Sequence, residues 1–126
     1  MTKITLSSSK QTPEILLDFE ACKFQIKGCS RPEDVELFYG PLIKKIDEHR
    51  TILTQNPKHL EIDIHMIYFN SSSLKFLLEL LRFCVKIKGP DAIILNWIYD
   101  KDDDDVYEVG NELSEALNIT FTFIEN

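Results

Sequence analysis

Hydrophobic and polar positions alternate in three parts of the chain. From Leu60 to Phe69, Leu60, Ile62, Ile64 and Met66 face one way and Glu61, Asp63 and His65 the other. Ile93, Leu95, Trp97 and Tyr99 share one side of Ala92 to Tyr99, and Ile119, Phe121 and Phe123 one side of Ile119 to Ile124. A period of two predicts β-strands at all three. Two earlier strands, Glu14 to Glu20 and Cys22 to Lys27, are predicted to pair as a hairpin across Glu20-Ala21. Helical patterns separate the rest: Glu33 to Leu53, Ser71 to Lys88 with a stop at Gly89-Pro90, and Asp103 to Leu117. Pro41 should kink the first or start a second segment, because proline removes an internal hydrogen bond.

Parallel strands covered on both faces are apolar on both, and these are not. The pattern predicts an α/β domain of two layers, a mixed sheet of about five strands with helices mainly on one face. Strands after the hairpin should be parallel, since helices connect them. Residues 1–11, rich in Ser, Thr and Lys, read as a flexible tail, and 12–126 as a single domain. The helix Ser71 to Lys88 carries two apolar stripes, Leu74/Leu77/Leu78/Leu81/Val85 and Phe76/Leu80/Phe83/Ile87. One should pack on the sheet, and the other against neighbouring helices or, failing that, a partner.

Composition removes several function classes. Lys and Arg number 14 against 21 Asp and Glu, a net charge of −7. That balance argues against nucleic acid and anionic membrane as partners. The excess is local: residues 100–126 hold nine acids and one base, a net of −8, and residues 1–99 hold 12 acids and 13 bases, +1. No apolar run is long enough to insert in a membrane, and the start lacks a signal-peptide core. Cys22, Cys29 and Cys84 are odd in number and lack C-x-x-C spacing. They read as reduced, packed thiols of a cytoplasmic protein.

Three places could carry chemistry. At Tyr68-Phe69-Asn70-Ser71-Ser72-Ser73-Leu74-Lys75 a strand passes into a helix, with Asn70 or Ser71 as N-cap. A hydroxyl there stands at a strand-end edge and could be presented to a kinase, and a phosphate there would meet the positive end of the helix dipole. The Asp100-Lys101-Asp102-Asp103-Asp104-Asp105 run has neither the Gly nor the final Glu of an EF-hand, so it reads as a solvated loop opening a helix. Glu61, Asp63 and His65 share a strand face but have no second His or Cys nearby, and His49 and His59 have no recognisable partners. No metal site, cofactor or catalytic group is expected. The competing reading is a small metal-dependent hydrolase or cation-binding protein using the acidic clusters. A purely structural adaptor using the second helix stripe is a third.

The run LEIDIHMIYFNSSSLKFLLELL, Leu60 to Leu81, resembles the most characteristic segment of the SiaC family of bacterial regulatory phosphoproteins. TPEI at Thr12 to Ile15, CSRPEDVELFYGPLI at Cys29 to Ile43 and WIYDKDDDDVYEVGNELSE at Trp97 to Glu115 agree with it in order and spacing. The resemblance implies a fold similar to the STAS domains of anti-sigma-factor antagonists. It implies a non-catalytic switch, phosphorylated by a cognate serine/threonine kinase and reset by a PP2C-type phosphatase. The implied output partner is a diguanylate cyclase, activated by the unphosphorylated form, which would raise cyclic di-GMP. The family's phosphoacceptor falls on Ser71, with Ser72 and Ser73 as adjacent alternatives. Asn70, Ser72, Lys75 and Asp102, Asp103, Asp104 and Asp105 are the expected partner-binding residues. The chain departs from the pattern in having Ser71 where the best-known member has Thr. Arg31 and Asp34 stand where the family often has an aromatic residue and Asn.

Overall fold

In the computed structural model, which describes residues 3–126, six strands form one sheet in the order β1-β2-β3-β4-β5-β6. Strands β1 (Lys3–Leu6), β2 (Glu14–Asp18) and β3 (Lys23–Ser30) are antiparallel neighbours. From β3 onward every pairing is parallel, through β4 (Leu60–Phe69), β5 (Ile93–Tyr99) and β6 (Thr122–Glu125). Helices α1 (Val35–Glu48) and α2 (Arg50–Gln55) lead from β3 to β4, α3 (Ser71–Lys88) from β4 to β5, and α4 (Asp104–Leu117) from β5 to β6. The predicted mixed α/β sheet is present, with one strand more than expected.

The extra strand comes from the stretch read as a tail. Residues 1 and 2 of that stretch lie outside the described residues, but Lys3–Leu6 pairs with β2, Ile4 opposite Leu17. Its physical reason is the unpaired edge of β2, which a short extended segment can complete. The hairpin turn is also wider than Glu20-Ala21. Pairing ends at Asp18↔Lys23, and the loop between buries Phe19 and Cys22 while Asp18 Oδ1 accepts the Ala21 N–H at 3.1 Å.

The core lies between the sheet and the helices. Ile15, Leu17, Phe24, Ile26, Leu60, Ile62, Ile64, Met66, Leu95 and Trp97 are all buried. Each such side chain contributes about 1.5–3 kcal/mol by leaving water, against the entropy of ordering it. Helix α3 sits between α1/α2 and α4, so both of its stripes are used. Leu77 and Leu81 of the first stripe and Leu80 of the second are buried, and Phe76, Phe83 and Ile87 are partly so. Pro41 does not break α1; the interruption falls at His49. Pro41 lies on the exposed side of the helix, as does Leu37 four residues before it, so water can serve the carbonyl the proline leaves unpaired. No described helix is long and apolar enough to cross a membrane.

Candidate functional site

Three parallel strands, β3, β4 and β5, end on the same edge of the sheet, and a helix N-terminus follows each. Each helix is capped by a side chain from its own loop. Asp34 Oδ1 accepts from Leu37 N at 3.0 Å, Asn70 Oδ1 from Ser73 N at 2.8 Å and Asp103 Oδ1 from Val106 N at 3.2 Å. Such an edge collects loops and unpaired N–H groups, which is why α/β sheets place their sites there.

The three serines of α3 differ sharply. Ser71 and Ser72 are exposed in the first turn. Ser73 is only 1% exposed. Ser30 Oγ donates to Ser73 Oγ at 2.9 Å and lies 2.6 Å from the Tyr39 hydroxyl, which then serves as donor to Ser30. Burial pushes the Tyr39 hydroxyl above its ordinary pKa, partly offset by the bond to Ser30. Ser73 therefore has a structural role and is corrected as an alternative acceptor: a kinase could not reach it without opening the core. The sequence signal was one helical turn of rotation, but its partners come from β3 and α1. Asn70 also spends its side chain locally, as the cap, while its N–H donates to Ser30 O at 3.1 Å. Lys75, one turn beyond Ser71, is exposed.

The acidic run is not uniform either. Asp100 folds back onto the sheet, where its Oδ1 accepts from His65 Nε2 at 2.8 Å and Asn126 Nδ2 at 3.0 Å. The hydrogen bond from His65, then that from Asn126, hold its carboxyl below the usual range. Asp102 takes a left-handed backbone, φ 69°, which Asp tolerates better than most residues. Asp103 caps α4, and Asp104 and Asp105 are exposed in its first turn, where the helix dipole favours acids. A cleft of about 290 Å³ runs between the end of β4 and the start of α4. Ile67, Tyr68 and Phe69 line one side, and Asp103, Asp105, Val106 and Val109 the other. The residues leading into Ser71 and two of the four clustered aspartates thus meet, whereas Asp102 and Asp104 are not part of the cleft wall.

On the open sheet face the acids find partners within the protein. Lys23 Nζ lies 3.3 Å from Glu61 and 2.8 Å from Asp63, and Asn96 Nδ2 donates to both carboxylates at 2.9 and 2.7 Å. His65 is turned to Asp100. Among the described residues no three His, Cys, Asp or Glu side chains are grouped to hold a metal ion. Cys22 and Cys84 are buried, and burial pushes the Cys84 thiol up to about 12 and raises that of Cys22. Thiols so protonated are poor nucleophiles at neutral pH.

Comparison with known proteins follows the same lines. The model of the SiaC family of regulatory phosphoproteins matches residues 6–126. The chain belongs to the SiaC family. An uncharacterized protein of Pseudomonas aeruginosa strain UCBPP-PA14 is 26% identical over 122 residues, 96% of this chain and 94% of the relative. Among solved structures, SiaC of Pseudomonas aeruginosa is 25% identical and superposes over the whole of both chains with a TM-score of 0.80. A chain from the crystal structure of diguanylate cyclase SiaD in complex with its activator SiaC, from the same species, is 24% identical. It superposes with a TM-score of 0.84 over 98% of this chain and 99% of that one, which shows the shared fold.

In this SiaC-family chain, sequence reasoning missed two site features. Ile67 and Tyr68 are both exposed, at 50% and 48%, although strict alternation would turn one of them inward. The register against β3 steps from Gly28↔Met66 to Cys29↔Tyr68, so Ile67 is an extra residue in a bulge. Bulges re-aim side chains in this way, often beside functional sites. Arg31 is the second feature. Its guanidinium lies over the Tyr68 ring, 5.6 Å from the centroid. The adjacent apolar pair Ile67-Tyr68 at the end of an otherwise alternating strand was the available signal.

Proposed function

We propose that this chain is a non-catalytic signalling switch of the cytoplasm whose state is set by reversible phosphorylation of Ser71. A dedicated serine/threonine kinase adds the phosphate and a PP2C-type phosphatase removes it. The unphosphorylated form binds and activates a diguanylate cyclase. The single observation that carries the reading is the placement of Ser71, exposed on the strand-end edge beside a cleft with apolar walls and an acidic rim. Membership of a family of regulatory phosphoproteins supports it, as does the likeness to a protein known as the activator of SiaD.

Electrostatics supplies the means. A phosphate adds about −1.5 to −2 charges near pH 7. Against one aspartate ~8 Å away through water that is on the order of 1 kcal/mol before screening. Several aspartates raise it to a few kcal/mol, enough to change a partner's affinity about tenfold or more.

Intact mass and phosphosite mapping of the protein from its native cells should locate phosphate on Ser71. In a pull-down from the same cells, Ser71→Ala should retain the output partner and Ser71→Asp should lose it. Equal capture by both variants would overturn the reading.

A further inference from the structure

The sheet order places Ser71 between unlike neighbours. β4, which leads into it, lies between β3, which ends at Ser30 just before Arg31, and β5, which leads to the aspartates. On the β3 side the contact is close. Ser30 pairs with Phe69 in the parallel register, and its carbonyl accepts from Asn70 N at 3.1 Å. Adjacent strands stand about 4.8 Å apart, so Arg31 is the neighbour of Asn70, one residue from Ser71. Arg31 is exposed, and its guanidinium rests on the face of Tyr68, itself half exposed. Opposite, Asp103 and Asp105 line the cleft. A dianion on Ser71 would be repelled from one side and attracted to the other.

We infer that Arg31 is the internal receptor for the phosphate on Ser71, and that in taking it the guanidinium leaves the Tyr68 ring. The inference rests on Ser71 being the phosphorylated residue. A solvent-exposed cation–π contact is the weaker interaction, and a guanidinium–phosphate pair with two charge-assisted hydrogen bonds the stronger. The exchange uncovers Tyr68 beside Ile67 and Phe69, so the modification changes the shape of the cleft wall as well as its charge. Arg31 would act as a positioning residue for the phosphate.

The test is a phosphorus NMR titration of protein carrying phosphoserine at position 71, installed during synthesis so that no kinase is needed. The second ionisation of a phosphoserine lies near 6. In the chain with Arg31 it should fall at least about 0.5 unit below its value in Arg31→Gln, because a nearby cation favours the dianion. Arg31→Lys should restore part of the shift, as a point charge without the planar fork. Tyr68→Leu should deepen it by removing the competing ring. Lys75, Asp103 and Asp105 are common to all of these proteins, so the differences isolate Arg31. The Tyr68 ring resonances should move on phosphorylation with Arg31 and stay in place in Arg31→Gln. Superposable titration curves for Arg31 and Arg31→Gln, or unmoved ring resonances in both, would overturn the inference. Absence of phosphate from Ser71 in cells would instead overturn the proposed function and leave the titration result standing.

Discussion

Two groups of acids differ in one respect, the position of their counter-charge. Glu61 and Asp63 on the open face have Lys23 from β3 and Asn96 from β5 in register beside them, within 2.7–3.3 Å. Asp102, Asp104 and Asp105 are exposed, and among the described residues no ion pair involves them. The first group is completed inside the molecule and belongs to the sheet. The second faces solvent, and under the proposed function its charge acts on a partner and on a phosphate at Ser71. Acid count in the sequence did not distinguish them; a neighbouring strand did.

The largest effect expected on this contrast comes from Gly110→Ala in α4. A Cβ there would stand 2.5 Å from the ring of Trp97, which is buried in the core, and 2.8 Å from Phe123, which packs partly buried against it. Overpacking of this kind should cost about 3 kcal/mol by chemical denaturation. It should disturb amide resonances of the acidic loop and α4 while leaving Lys23 and its partners in place. A shift confined to the Lys23 region would contradict the packing described.

Lys23→Met comes next and attacks the other side. It leaves Glu61 and Asp63 on one face without their cation and should cost about 1 kcal/mol, since the pair is partly exposed. Desolvation lowers the Lys23 pKa, but hydrogen bonds and charge from Asp63 and Glu61 outweigh it and hold it above the ordinary value. Its contribution is therefore present below about pH 10.4 and lost as pH rises through the folded value. Denaturation at alkaline pH should show that loss in the native chain and not in Lys23→Met.

Asp103→Ala should cost about 1 kcal/mol through the lost cap of α4. Replacing Asp104 and Asp105 together by Asn should cost only about 0.5 kcal/mol, through the helix dipole, and should fade in salt. If the pair mattered more to stability than Asp103, the division into cap and open acids would be wrong. The smallest effect belongs to Asp100. Its folded pKa is depressed, so its contribution is present above the ordinary carboxylate value of about 3.9 and lost as pH falls through the lower folded one. Asp100→Asn should flatten the acid limb of the stability curve over that interval.

Legibility in the sequence followed the local strength of the signal. Strand β4 and helix α3 occupy the residues predicted for them, because alternation, the Asn70 cap and the Gly89-Pro90 stop are all local. β1 was missed because its four residues alternate weakly and exist as a strand only against β2. The break expected at Pro41 moved to His49 because solvent can satisfy the carbonyl a surface proline frees. At the candidate site, the capped turn from β4 into α3 that carries Ser71 was legible from its motif. The burial of Ser73 was not, since it depends on Ser30 and Tyr39. Nor was Arg31, which reaches Tyr68 only through the pairing of β3 with β4.

By itself the sequence determined the order of the elements from β2 onward, the two-layer α/β class, the Asn70-capped turn that carries Ser71 and the family. Periodicity, capping and motif spacing are properties of neighbours along the chain, so they survive without a third dimension. Only the tertiary structure decided which serine faces solvent, which acids are neutralised, and that a cation and a row of aspartates flank Ser71 on opposite sides. Those outcomes depend on strand register and helix packing between residues far apart in the chain, such as Ser73 with Ser30, 43 positions away, and Asp63 with Lys23, 40 positions away. Separations of that kind leave no period in the sequence to read.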